Sequence, residues 1–218
     1  MSKSCNKWEY GNSWDKFPIN IGQTWVEMKT NSSFAVHDLF DPLPAFMMSG
    51  DMIYCDPPWT LGNVNSFVTK NHSSKYISNF KDFYTQLFAQ VGVIAPRVCF
   101  LEIGKKHVDE FNTEMGKIFP TVQVWKTTYY KKHPCFLLRG GYEPASFDYT
   151  GSDDEDTPSL AIRNENPSCV ADLCTGRGLT AVSAISQNKR FVGIELNPRR
   201  MAVTLDKVSK KGGDICQK

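Results

Sequence analysis

The stretch that decides the architecture is residues 166–200, NPSCVADLCTGRGLTAVSAISQNKRFVGIELNPRR. Residues 168–173 form a short apolar run with an acid near its end, 174–178 a glycine-containing turn, and 179–187 a run with helical apolar spacing. A second apolar run, 190–195, ends on Glu195. Asn197-Pro198 then pairs an N-cap residue with proline at the first helical position, ahead of a helix predicted over 199–211. Two βα units in succession predict a parallel sheet covered by helices. That last helix accounts for the residues after Glu195, so the remaining strands must come from the N-terminal half.

Working outward, residues 34–39 and 51–55 read as strands, the second running into Asp56-Pro57-Pro58-Trp59. A helix is predicted over 80–93, a strand over 98–103, a helix over 105–117, and strands over 122–130 and 135–138. Two segments read as mobile surface loops: 60–79, rich in Asn, Ser and Lys, and 143–158, EPASFDYTGSDDEDTP. The chain of 218 residues is expected to form one domain, 1–218, with no second full-sized unit.

Hydrophobic residues at 41% and charged residues at 22% exclude a disordered or collagen-like chain. The net charge of +2 hides alternating blocks. Residues 1–56 carry a net −3, 57–139 a net +6, 140–167 a net −6 and 168–218 a net +5. Seven cysteines are scattered without a Cys-x-x-Cys pair, which implies neither a zinc site nor a disulfide framework. His72 and His133 have no partner pattern for a metal or a triad, so no metal is expected. No apolar run is long enough to span a bilayer and no leader is seen, so a cytoplasmic location is expected.

Gly176-Arg177-Gly178-Leu179-Thr180-Ala181 fits G-x-G-x-x-A between a strand and a helix, with Glu195 at the next strand end. Glycines admit a cofactor close to the backbone, helix N-terminal amides supply donors, and the carboxylate can accept ribose hydroxyl protons. A nucleoside-containing cofactor follows. A nicotinamide cofactor would require an unusual sheet order here, and Arg177 is a large residue for a pyrophosphate turn. The plainer alternative is a turn serving helix-strand packing alone.

Asp56-Pro57-Pro58-Trp59 lies at the carboxyl end of a strand, where ligands bind in open α/β sheets. Its two prolines remove N–H donors and leave carbonyls that only accept. A carboxylate, a carbonyl and a broad aromatic face suit a planar base bearing an exocyclic amine. Taken alone, the tetrapeptide also fits a strand-ending turn with a packed Trp.

Together these residues resemble the S-adenosylmethionine-dependent amino-methyltransferases of DNA bases, in the permuted order that puts the catalytic motif before the cofactor motif. The family's Asp/Asn/Ser-Pro-Pro-aromatic tetrapeptide is matched by DPPW, which looks most like the adenine-N6 branch. The resemblance implies a Rossmann-like class I methyltransferase fold: three layers, with a mostly parallel sheet between helices. It implies that Asp172, Gly176, Gly178 and Thr180 line the methionine end of the cofactor and that Glu195 holds the ribose, with Asn197 nearby. Asp38 matches the position beside the cofactor's adenine, with Asp41 a rival. Asp56, Pro57, Pro58 and Trp59 form the implied catalytic set. The turn departs from the family by having Leu173 and Cys174 where Pro and Phe are usual. The only room for a target-recognition insert is the acidic loop. Recognition is therefore minimal, or falls to the basic segments, a second copy or another chain.

Residues 125–133, WKTTYYKKH, interleave cations with aromatics. Lys126, Tyr129, Lys131 and Lys132, with Lys70 and Lys75, are the expected nucleic-acid contacts. A solvated strand edge is the alternative. The expected activity is methyl transfer to adenine N6 in DNA. RNA adenine, cytosine N4 and a non-catalytic binding subunit are the competing readings.

Overall fold

The computed structural model describes residues 10–70 and 77–218. Among the described residues, nine strands form one sheet: β1 Thr24–Glu27, β2 Ser32–Val36, β3 Met52–Cys55, β4 Val98–Gly104, β5 Thr121–Tyr129, β6 His133–Gly141, β7 Cys169–Asp172, β8 Arg190–Glu195 and β9 Ile215–Gln217. Their spatial order is β5-β6-β4-β3-β7-β8-β2-β1-β9. The five central strands, from β4 to β2, run parallel. The edge pairings β4·β6, β5·β6, β1·β2 and β1·β9 are antiparallel. The parallel sheet read from the sequence is thus the middle of a mixed one.

Helices cover both faces, as the near-continuous apolar character of the central strands requires. On β3, Ile53 and Cys55 join one apolar cluster while Met52 and Tyr54 join the other. The first face packs against α2 Leu61–Lys70, α3 Phe80–Ile94 and α4 Val108–Ile118 through residues such as Val64, Leu87 and Phe111. The second packs against α5 Thr157–Glu165, α6 Leu179–Ser186 and α7 Pro198–Lys210 through Ile162, Ala184 and Leu205. A short α1, Ser13–Lys16, is tied to α7 where Ser13 Oγ and Lys16 Nζ donate to Asp206 at 3.0 and 3.2 Å.

Several expectations are corrected. The 60–79 loop contains α2, whose Val64 and Val68 are buried although polar residues surround them. The 143–158 segment is a loop up to Asp156, hydrogen-bonded to the β5–β6 hairpin, and only its last two residues belong to a helix, α5. The helix expected over 105–117 starts as a 3-10 turn, Lys105–His107, before α4. After α7 the chain makes β9 and pairs with β1, neither of which the local pattern signals.

Candidate active site

The chain leaves β3 for β4 on one side and β7 for β8 on the other, so the order reverses between β3 and β7. Ligands bind outside the carboxyl ends of strands at such a switch point. Asp56-Pro57-Pro58-Trp59 follows β3, and Asp172 closes β7. A cavity of about 530 Å³ opens there, walled by both segments and by the ends of β2, β4 and β8.

The structure brings Asp38, Asp56, Pro57, Pro58, Trp59, Tyr129, Asp172, Gly176, Thr180 and Glu195 to this cavity, and Asp38 rather than Asp41 reaches it. Gly178 and Asn197 do not line it. Gly178 has φ +79°, and a Cβ there would lie 2.6 Å from Thr204, so glycine lets the turn approach α7. The Asn197 side chain caps α7, accepting from the Arg199 and Arg200 amides at 2.9 and 3.2 Å. Lys126 borders a separate hollow with Lys105 and Pro134. Lys131 and Lys132 are exposed at the hairpin tip. Lys75 and the Lys70 side chain lie outside what the structure describes.

At the catalytic end, Trp59 Nε1 donates to Asp56 Oδ1 at 2.9 Å. The indole lies against Gly104, where a Cβ would come within 2.8 Å of the ring, and meets Tyr129 edge-on at 4.8 Å. Burial pushes the Asp56 carboxyl well above the usual aspartate range, and Asp154 adds to the rise; Trp59, Arg200 and Tyr129 oppose it.

At the other end, burial raises Asp172 to about 7, against hydrogen bonds from the Cys174 amide, Thr180 and Cys55. Glu195 is held by backbone donors: Gly176 N–H to Oε2 at 2.7 Å and Asn197 N–H to Oε1 at 2.9 Å. Each carboxylate oxygen keeps a lone pair that can accept from a ligand hydroxyl. Burial also raises Glu195, with Arg200 pulling the other way. The φ of +58° at Gly176 turns its amide onto that carboxylate.

The lining also includes residues to which the sequence assigned no role, among them His37, Glu102, Tyr130, Asp154 and Arg200. Arg200 packs its guanidinium 4.7 Å over the Phe67 ring and acts electrostatically on both Asp56 and Glu195. An acid inside the apolar run VCFLEIG was a readable signal for Glu102. Asp154 was hidden among neighbouring acids. Among the described residues, His/Cys/Asp/Glu groups offer no metal site, and no helix is long and apolar enough to cross a membrane.

No protein-family model matches the sequence, and no curated protein does so either. Similarity appears in three dimensions. A crystal structure of M1.HpyAVI superposes with a TM-score of 0.56 at 12% identity, covering 80% of this chain and 97% of that one. TTHA0409 from Thermus thermophilus, named as a DNA modification methylase and bound to S-adenosyl-L-methionine, gives 0.55 at 14% identity, covering 82% and 93%. PvuII DNA methyltransferase, cytosine-N4-specific, gives 0.53 at 12% identity, covering 86% and 90%. The chain therefore has the α/β fold of these methyltransferase structures.

Proposed function

We propose that the chain is an S-adenosylmethionine-dependent methyltransferase acting on the N6 amino group of adenine in DNA, its catalytic motif preceding its cofactor motif in permuted order. The observation that carries this reading is the meeting of two separately recognised motifs, Asp56 to Trp59 and the turn after Asp172, at one switch-point cavity. The fold shared with TTHA0409 and PvuII DNA methyltransferase supports it.

The lining fits the cofactor's charge. Among the described residues, Asp38, Asp56, Asp154, Glu155, Asp172 and Glu195 outnumber the cations Arg177, Arg200 and Lys207, which suits a ligand bearing a sulfonium and an ammonium. The buried Nε2 of His37, beside Asp38, has no hydrogen-bond partner among the described residues and would welcome a polar ligand atom. When bound, S-adenosylmethionine supplies an electrophilic methyl group. Asp172, Gly176 and Thr180 hold its methionine end, Glu195 the ribose hydroxyls and Asp38 the adenine edge.

Asp56 Oδ1 is engaged by Trp59, leaving Oδ2 and the Pro57 carbonyl to accept from the target amine. Two acceptors favour a pyramidal nitrogen and localise its lone pair for attack. With its pKa raised, Asp56 can take the proton released once the nitrogen is alkylated. The Trp59 and Tyr129 rings offset part of the cost of unstacking the base, roughly a few kcal/mol. Lys131 and Lys132, exposed next to the cavity-lining Tyr130, would supply phosphate contacts.

Asp at the first motif position favours adenine by resemblance, whereas the PvuII neighbour acts on cytosine N4. Methyl-labelled S-adenosylmethionine, incubated with duplex DNA, single-stranded DNA or RNA and followed by nucleoside analysis, separates the readings. N6-methyladenine in DNA is expected. N4-methylcytosine, or label in RNA alone, overturns the substrate assignment, and no transfer to any polymer overturns the enzyme assignment.

A further inference from the structure

Glu102 occupies a place that the proposed chemistry leaves unused. β3 and β4 run parallel with Cys55 opposite Leu101, so one step onward sets Asp56 opposite Glu102 at the carboxyl edge of the sheet. Their strands are adjacent, about 4.8 Å apart in an ordinary ladder. Glu102 is only 2% exposed, yet it borders the cavity. Tyr54, two residues before Asp56, donates its hydroxyl to Glu102 Oε1. Just beyond, Gly104 carries the Trp59 indole. Acid, acid and aromatic face thus share one corner.

We propose that Glu102 recognises the target base, donating a hydrogen bond from its carboxyl to the ring nitrogen beside the reacting amine while Asp56 accepts from that amine. This rests on the cavity being an amino-methyltransferase site. Tyr54 on β3, Asp56 just after it, and Asp153 and Asp154 before α5 act on Glu102, while Cys135 on β6 feels it in turn. Burial and those carboxylates push Glu102 well above the glutamate range, which favours its acid form. An acid-form carboxyl has one acceptor oxygen, engaged by Tyr54, and one O–H to give.

Adenine places an unprotonated N1 next to its amine, and cytosine an unprotonated N3. Guanine, thymine and uracil carry N–H at the corresponding ring position. A donor at Glu102 beside an acceptor at Asp56 matches the first pair and opposes the second group. It also covers the ring nitrogen, which in the free base is the stronger nucleophile, and so directs the methyl group to the amine.

The test uses the full chain and two DNA pools of randomised sequence, one around a single adenine and one around 1-deazaadenine, which keeps the amine but has C–H in place of N1. On adenine, Glu102→Ala should lower kcat/KM by about 10- to 100-fold, while Glu102→Gln, which keeps an N–H donor, should stay within several-fold. On 1-deazaadenine, the Ala and wild-type enzymes should become nearly equal. Wild-type activity should fall at alkaline pH as Glu102 ionises, and Glu102→Gln should remove that fall. Cofactor affinity, measured by calorimetry, should be unchanged in both variants. Equal losses on the two pools would overturn the inference and leave methyl transfer standing. If the modified base is cytosine, the same cycle is run with 3-deazacytosine. A wild-type enzyme that transfers methyl to no base removes the proposed function and this inference with it.

Discussion

Asp172 sits buried at the end of β7 with Glu195 adding like charge, and burial raises its carboxyl to about 7. A folded-state pKa above the unfolded value of about 3.9 means the folded chain holds this proton more tightly. The associated stability is fully present below about pH 4 and is lost as pH rises through 7. Asp172→Asn, uncharged at every pH, should therefore stabilise the unliganded protein at pH 8, by on the order of 2–4 kcal/mol for such a shift, with little gain at pH 4. The same variant should lose cofactor affinity. Thermal melts at the two pH values, with calorimetry, check both, and a lower melting temperature at pH 8 would contradict the assignment. Residues at strand ends such as Asp56, Asp172 and Glu195 were legible because an acid closing an apolar run is a local signal. Asn197 was legible as a cap, and capping is the role its side chain has. Its assignment to the cofactor came from the family resemblance, which sets it near Glu195.

The β5–β6 hairpin shows how an element can depend on a distant segment. Tyr130 and Lys131 at its tip have φ of 51° and 55°, left-handed values that side-chain-bearing residues seldom adopt. Asp154 Oδ1 accepts the Tyr130 amide at 2.7 Å and Asp153 Oδ2 the Lys131 amide at 2.6 Å. The acidic loop is thus a clamp on the hairpin that carries Tyr129 and Tyr130 into the cavity wall. Lys131→Gly should relieve the backbone and raise the melting temperature by a few degrees, whereas Asp153→Ala, which also frees Thr128, should cost about 1–3 kcal/mol. A melting temperature lowered by Lys131→Gly would contradict this account of the tip. The clamp was invisible in the sequence because its partners are remote and a run of acids looks like solvated surface. The same reasoning covers α2, whose Val64 and Val68 matter only against a core assembled elsewhere, and β9, which exists by pairing with β1.

At the scale of the molecule, the alternating charge blocks become a cavity rich in carboxylates with lysines exposed at the adjacent hairpin tip. The central parallel strands were readable because each is a compact apolar run between turn signals. The antiparallel edges, which make the sheet mixed, were readable only in part. The fold sets two motifs from opposite halves of the chain side by side, and the central claim is that they divide the labour: one holds the cofactor and the other handles the amine. The most direct test measures cofactor affinity and single-turnover methyl transfer in parallel for Asp56→Ala and Glu195→Gln. Asp56→Ala should keep cofactor affinity within about threefold while transfer falls by at least about 100-fold, and Glu195→Gln should lose affinity first, with transfer partly restored at saturating cofactor. Full transfer by Asp56→Ala, or equal loss of binding in both variants, would contradict the account.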